Sequence, residues 1–142
     1  MTLSVATYIG LNFEVEISDE PNDVPIEIMY CFSEEENRLA VRESHFKTHF
    51  VYELMDTEDS FWQMTEYNKQ YSPHNFEKAK QAFIQLCEFL NQLIPEGDYC
   101  EIFVCWLDDE REPMEHQVFI DLKNPIIEPL KQYEQCYIKF SK

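Results

Sequence analysis

An α+β fold, with a mostly antiparallel sheet packed against one long amphipathic helix at about 73–94, is what this sequence predicts. Three observations predict it. Phe76, Ala79, Phe83, Leu86, Cys87, Leu90, Leu93 and Ile94 form one apolar stripe at helical spacing. Segments on both sides of that stripe alternate apolar and polar residues with the period of a half-buried strand. A helix with a single apolar stripe needs a sheet face to cover, and the order strands, helix, strands is that of an α+β layer.

From the N-terminus, Phe13, Val15 and Ile17 alternate with Glu14 and Glu16, which predicts a first strand. The segment 19–25 carries Pro21 and Pro25 and reads as a loop, because proline removes donors and disfavours a continued helix or central strand. Ile26, Ile28, Tyr30 and Phe32 then share one face of a second strand. The stretch 33–37 is ambiguous. Ser33 with Glu36 fits a capping box that would start a helix, but the same residues suit a hairpin turn leading to a strand with Leu39 and Val41. The apolar spacing that follows is not clearly helical and favours the hairpin.

Phe46, Phe50, Tyr52 and Leu54 suggest another strand. A second, short helix is expected at about 58–70, capped near Thr57 with acids in its first turn. Phe61, Met64, Asn68 and Tyr71 would lie on one side of it. Ser72 and Pro73 suit the start of the long helix, and Pro95 and Gly97 its end. Tyr99–Leu107 is nearly free of charge apart from Glu101, as in a central strand buried on both faces. Val118, Ile120 and Leu122 form the next strand, and Cys136, Ile138 and Phe140 the last.

The chain has 142 residues, the size of one domain spanning 1–142. Disordered acidic chains lack aromatic residues, whereas this one has 11 Phe, 8 Tyr and 2 Trp. Its 28 acidic and 11 basic residues give a net charge of −17. A field of that sign repels nucleic acid and anionic membrane and hastens encounter with basic proteins. The N-terminal residues carry Glu14 and Glu16 without a basic leader, and the longest strongly apolar run, Ile102–Leu107, is too short to span a bilayer. A cytoplasmic location is expected. The odd number of cysteines, five, without a CxxC pair fits free thiols in a reducing compartment better than a disulfide framework.

Only Gly10 and Gly97 are present, against roughly ten at average usage. A P-loop or dinucleotide fingerprint needs several glycines for close approach of backbone to phosphate, so neither can be built. His45 and His49 are four apart but lack the glutamate of HExxH, and Lys47 between them disfavours a cation. Cys100 and Cys105 are five apart in a strand and face opposite ways, so they read as packing thiols. No G-x-S-x-G elbow and no EF-hand loop occurs. No catalytic residue, metal or cofactor is therefore expected.

Acids and large rings coincide in two stretches. One holds Asp56, Glu58, Asp59 and Trp62; the other holds Trp106, Asp108, Asp109, Glu110 and Glu112, which reads as the solvated tip between two strands. Rings anchor interfaces by desolvated burial, and rim charges set association rate and partner choice. Glu34, Glu35 and Glu36 add a third acidic cluster. With these stretches the chain resembles, as a class, the small acidic bacterial immunity proteins. That resemblance implies an inhibitory protein that occludes a basic toxin. The coincidence of acids and rings makes these residues the expected contacts, and a monomer or homodimer is expected. The alternatives are a nucleic-acid mimic that inhibits a DNA-binding protein, or a small hydrolase with an unrecognised site.

Overall fold

The computed structural model describes residues 4–17, 24–30, 32–56 and 60–142, the side chain of Asp56 excepted. The elements run β1 (Val5–Leu11), β2 (Ile26–Met29), α1 (Glu35–Ser44), β3 (Phe50–Asp56), a 3-10 turn (Phe61–Gln63), α2 (Glu66–Tyr71), α3 (Pro73–Leu93), β4 (Tyr99–Trp106), β5 (His116–Asp121) and β6 (Cys136–Ser141). The strands form one six-stranded sheet in the order β2-β3-β1-β4-β6-β5. Every pairing is antiparallel except β5 with β6. The fold is α+β, with the long helix packed on the sheet. No helix among the described residues is long and apolar enough to cross a membrane.

The helix stripe buries as its spacing predicts. Phe76, Ala79, Phe83, Leu86, Cys87 and Leu90 face a core with Ile9 and Leu11 of β1, Ile102 and Val104 of β4, and Ile138 and Phe140 of β6. Pro73 opens α3 at a position whose N–H would be unpaired in any case. The Ser72 side chain does not cap it; it accepts instead from Asn75 Nδ2 at 2.8 Å.

A second, smaller cluster fills the opposite face with Tyr8, Val41, Phe46, Phe103, Cys105 and Tyr137. Cys100 belongs to the α3 side and Cys105 to this one, as their spacing requires. Cys87, Cys100, Cys105 and Cys136 are free and buried; Cys31 lies outside the described residues.

The structure corrects several expectations. The residues 12–17 form no ladder, although Phe13, Val15 and Ile17 are half-buried and Glu14 and Glu16 exposed. The strand lies just upstream, at β1, the third of the six strands in sheet order. Buried on both faces, it shows continuous uncharged residues instead of alternation.

The 33–37 stretch starts a helix, not a hairpin. Glu34 is the N-cap, and its backbone N–H donates to Asn37 Oδ1 at 2.9 Å, so the reciprocal box sits one residue later than Ser33/Glu36. Only Ala40 and Val41 of α1 are buried, while Leu39 is exposed, which is too narrow a stripe to read as helical. Phe46 precedes β3 and packs on the second face. The expected 58–70 helix is shorter and capped elsewhere. Thr65 Oγ1 accepts the Asn68 N–H at 3.2 Å and starts α2, while 57–59 lie outside the described residues.

Candidate functional site

The acidic residues of Glu34–Glu36 and Asp108–Glu112 are far apart in the chain and meet in space. β4 carries the chain back beside β1, ending at Trp106 opposite Val5. There a turn closes with the Asp109 N–H donating to the Trp106 carbonyl at 3.0 Å. Its third residue, Asp108, takes the left-handed conformation at φ 80°, which Asp tolerates better than most residues. Asn37, in the first turn of α1, links the two segments. Its Nδ2 donates to Asp108 Oδ1 at 3.3 Å and to Glu110 Oε1 at 3.1 Å. Glu34, Glu35, Glu36, Asp108, Asp109 and Glu112 are all exposed along this ridge. Acids at the start of α1 also face the positive end of its dipole.

Glu110 departs from expectation. It is 3% exposed, not part of a solvated tip. Its Oε2 accepts the Tyr8 hydroxyl at 2.8 Å and the Asp108 N–H at 3.0 Å. A carboxylate removed from water needs donors of this kind, so Glu110 is an internal anchor and not a contact residue. Burial, reinforced by Glu110, pushes the Tyr8 hydroxyl far above its ordinary pKa and keeps it a donor.

Two further groups fix the same turn. His45 Nε2 lies 2.7 Å from the Glu110 carbonyl, and because a carbonyl can only accept, that nitrogen carries the proton. The ring stacks on Phe103 at 4.0 Å between centroids. Burial lowers its pKa against the opposing pull of the Glu110 and Glu112 carbonyls. Gln135 Nε2 donates to the Glu112 carbonyl at 3.0 Å. The acidic turn is thus held from four sides, by Tyr8, Asn37, His45 and Gln135. Loop ordering costs on binding are reduced when a surface is already fixed.

The two tryptophans, predicted as separate anchors, belong to one assembly. Trp62 packs on Tyr133 at 4.7 Å and Trp106 approaches the same ring at 6.1 Å. Both are half-buried and line one cleft of about 470 Å³. Phe32, 52% exposed, lines it as well.

The cleft exists because the sheet divides there. β1 and β3 pair from Leu11↔Phe50 to Tyr8↔Glu53 and no further. Beyond that point β1 pairs only with β4, and β3 only with β2. Val5 and Thr7 form one wall, Leu54 and Met55 the other, and Glu53 stands at the apex. Glu53 is 2% exposed. Its Oε1 accepts the Ser33 N–H at 2.7 Å and the Ser33 hydroxyl at 2.5 Å, and its carboxylate also accepts the Phe32 N–H. These bonds place Phe32 at the cleft and Glu34 two residues beyond it. Asp108 likewise follows Trp106 by two. The acidic ridge and the ring-lined cleft are therefore joined at both chain segments.

Glu58 and Asp59 lie outside the described residues, and of Asp56 only the backbone, at the end of β3, is described. Local patterning gave no sign of Tyr8, Phe32, Asn37, His45, Glu53, Tyr133 and Gln135. Their partners are mostly dozens of residues away, 102 in the case of Tyr8 and Glu110. His45 and His49 do not act together: His49 is exposed and lies edge-on to Phe50. Among the described residues no group of three or more His, Cys, Asp or Glu could hold a metal ion. Burial raises the thiols of Cys87 and Cys136 to about 12 and those of Cys100 and Cys105 higher still, so they are poor nucleophiles at neutral pH. No protein-family model, no curated protein and no solved structure matches the chain.

Proposed function

We propose that the protein binds a basic protein partner and neutralises it by occlusion, as an immunity protein or antitoxin does with a toxin. It acts by binding and not by catalysis. One observation carries the reading: two acidic segments distant in sequence are joined through Asn37 into a fixed ridge beside a cleft lined by Trp62, Trp106 and Phe32. The excess of negative charge, −17 overall, attracts a cationic protein at long range. At contact, carboxylates on the ridge pair with its Lys and Arg, while the rings supply the desolvated part of the interface. A nucleic-acid mimic would need carboxylates in phosphate-like rows and has less use for aromatic anchors. Binding that a DNA duplex competes away would mark that alternative.

The test uses a basic partner purified from the native host. Association of the intact protein is followed at several salt concentrations, alongside a variant with Glu35→Gln, Glu36→Gln, Asp108→Asn and Asp109→Asn. Exposed carboxylates act mainly on encounter, so the variant should associate about tenfold more slowly at low salt and dissociate at a similar rate. The difference should shrink as salt rises. Equal association rates for the two proteins at low salt would refute the reading.

A further inference from the structure

We propose that the β5 edge of the sheet pairs with the same edge of a second copy of this chain, antiparallel and centred on Phe119, to form a two-fold dimer. This contact is independent of the ridge and the cleft. An unpaired strand edge invites pairing with another chain unless it is blunted. The β2 edge is blunted: it has four residues, follows Pro25 and carries Glu27. The β5 edge is not. It runs six residues in unbroken register with β6, without proline or bulge, and its middle reads Gln117, Val118, Phe119 and Ile120. Phe119 is 68% exposed. Ile126, which lines a groove of about 480 Å³ beside the strand, is 69% exposed.

Hydrogen bonds at both ends of β5 show which of its backbone groups are free. The His116 N–H donates to the Gln135 carbonyl at 3.4 Å, and the Leu122 N–H to the Ser141 carbonyl at 2.8 Å. In a parallel ladder, alternate residues bond to one neighbour. The even-numbered residues of β5 therefore face β6, and the N–H and C=O groups of Gln117 and Phe119 point away from the sheet. Among the described residues nothing takes them. The Asp121 N–H points the same way, while its carbonyl already accepts the Asn124 N–H at 3.1 Å.

A second copy is the occupant that this edge fits. A two-fold axis normal to the sheet sets Phe119 against its equivalent, where each donates its N–H to the other's carbonyl. Gln117 then lies opposite Asp121 of the second copy, and Val118 opposite Ile120. Glu115 lies opposite Lys123, whose ammonium meets Glu96 at the surface and has further donors to give. Centring the pair on Val118 would instead oppose Asp121 to Glu115, and like charges directly across a ladder are destabilising. Charge complementarity thus selects Phe119 as the centre. The stretch 117–120 is uncharged, so two chains of net charge −17 meet where neither presents an acid. One strand pair with its flanking side chains is a small interface, which suits a weak dimer in exchange with monomer.

Sedimentation equilibrium of the intact protein should show a monomer–dimer equilibrium with a Kd on the order of 10 μM. Because the two copies repel, the dimer should tighten about threefold from low to moderate salt, the reverse of binding to a basic partner. Gln117→Pro removes an outward N–H that β6 does not use, and should weaken the dimer at least about tenfold. Phe119→Cys reports the register. Hydrogen-bonded antiparallel partners have Cα atoms about 5.5 Å apart, within reach of a disulfide, so mild oxidation should link two copies at this position. In Gln117→Cys the two thiols lie towards opposite ends of the pairing and should link at least about tenfold more slowly. Both positions are exposed, so neither change disturbs the core, and the described native cysteines are buried. A protein that stays monomeric up to about 1 mM, or cross-linking as fast at 117 as at 119, would overturn the proposal. A monomer whose β5 amides are protected only when the basic partner binds would assign the edge to that partner and overturn it equally.

Discussion

The two faces of the sheet are held by different chemistry. The face under α3 is a continuous apolar core in which Phe83, Leu86 and Leu90 meet Ile102, Ile138 and Phe140. The face under α1 buries carboxylates, among them Glu53, Glu101 and Glu110, each 3% exposed or less. Each holds loops from distant parts of the chain. Glu53 fixes Phe32 and Ser33; Glu110 fixes the 108–112 turn. Glu101 accepts the Lys47 and Thr48 N–H groups at 2.9 and 2.8 Å and the Tyr137 hydroxyl at 2.5 Å. The first face supplies stability through area removed from water. The second spends buried charge on placing loops, and those loops carry the ridge and the cleft.

Substitutions on each face can break or sharpen this contrast. Phe83→Ala, on the apolar face, should cost about 3–5 kcal/mol in urea unfolding, since it removes a fully buried ring and leaves a cavity. Glu101→Ala should cost about 2–4 kcal/mol by leaving the loop N–H groups and the Tyr137 hydroxyl without their acceptor. Combining it with Tyr137→Phe should add less than the sum, because the second change removes one of the abandoned donors. Additive costs would mean the carboxylate acts through packing alone.

Gly10 tests the same face through space. It lies opposite Glu101 on the neighbouring strand, and a Cβ there would sit 2.0 Å from Thr48 Oγ1 and 2.6 Å from Phe46 Cδ2. Gly10→Ala should therefore cost about 1–3 kcal/mol and displace the 46–48 loop. A stability equal to the wild type would show that the loop does not lie on Gly10.

The smallest effect expected is that of His45. Its folded pKa lies below its ordinary 6.5, mainly through burial. Between the folded value and 6.5 the unfolded chain binds more protons, so this residue's contribution is present above pH 6.5 and is lost as pH falls through the folded pKa. His45→Gln should flatten that part of the stability–pH curve. An unchanged slope would show that the ring is not held neutral by the fold.

The contrast also explains what could be read from the sequence. Helix α3, strands β4 and β6 and the alternation of β5 were legible because their partners are the core itself, and a core imposes a local period. Strand β1 was not, since a central strand buried on both sides has no alternation to show. Helix α1 was misread because it buries only Ala40 and Val41. The site was half legible. The exposed acids of 34–36 and 108–112 and the two tryptophans announce themselves by residue type. Their union through Asn37, the withdrawal of Glu110 to Tyr8, and the fork at Glu53 depend on pairings between remote segments, which no local window contains.

The most direct measurement is amide hydrogen exchange of the protein alone and in complex with its purified basic partner. The account predicts that slowing on binding concentrates at Phe32–Asn37 and Trp106–Glu112, on both sides of the cleft. Slowing confined to α3 or to the β5 edge, with those two segments unchanged, would contradict it.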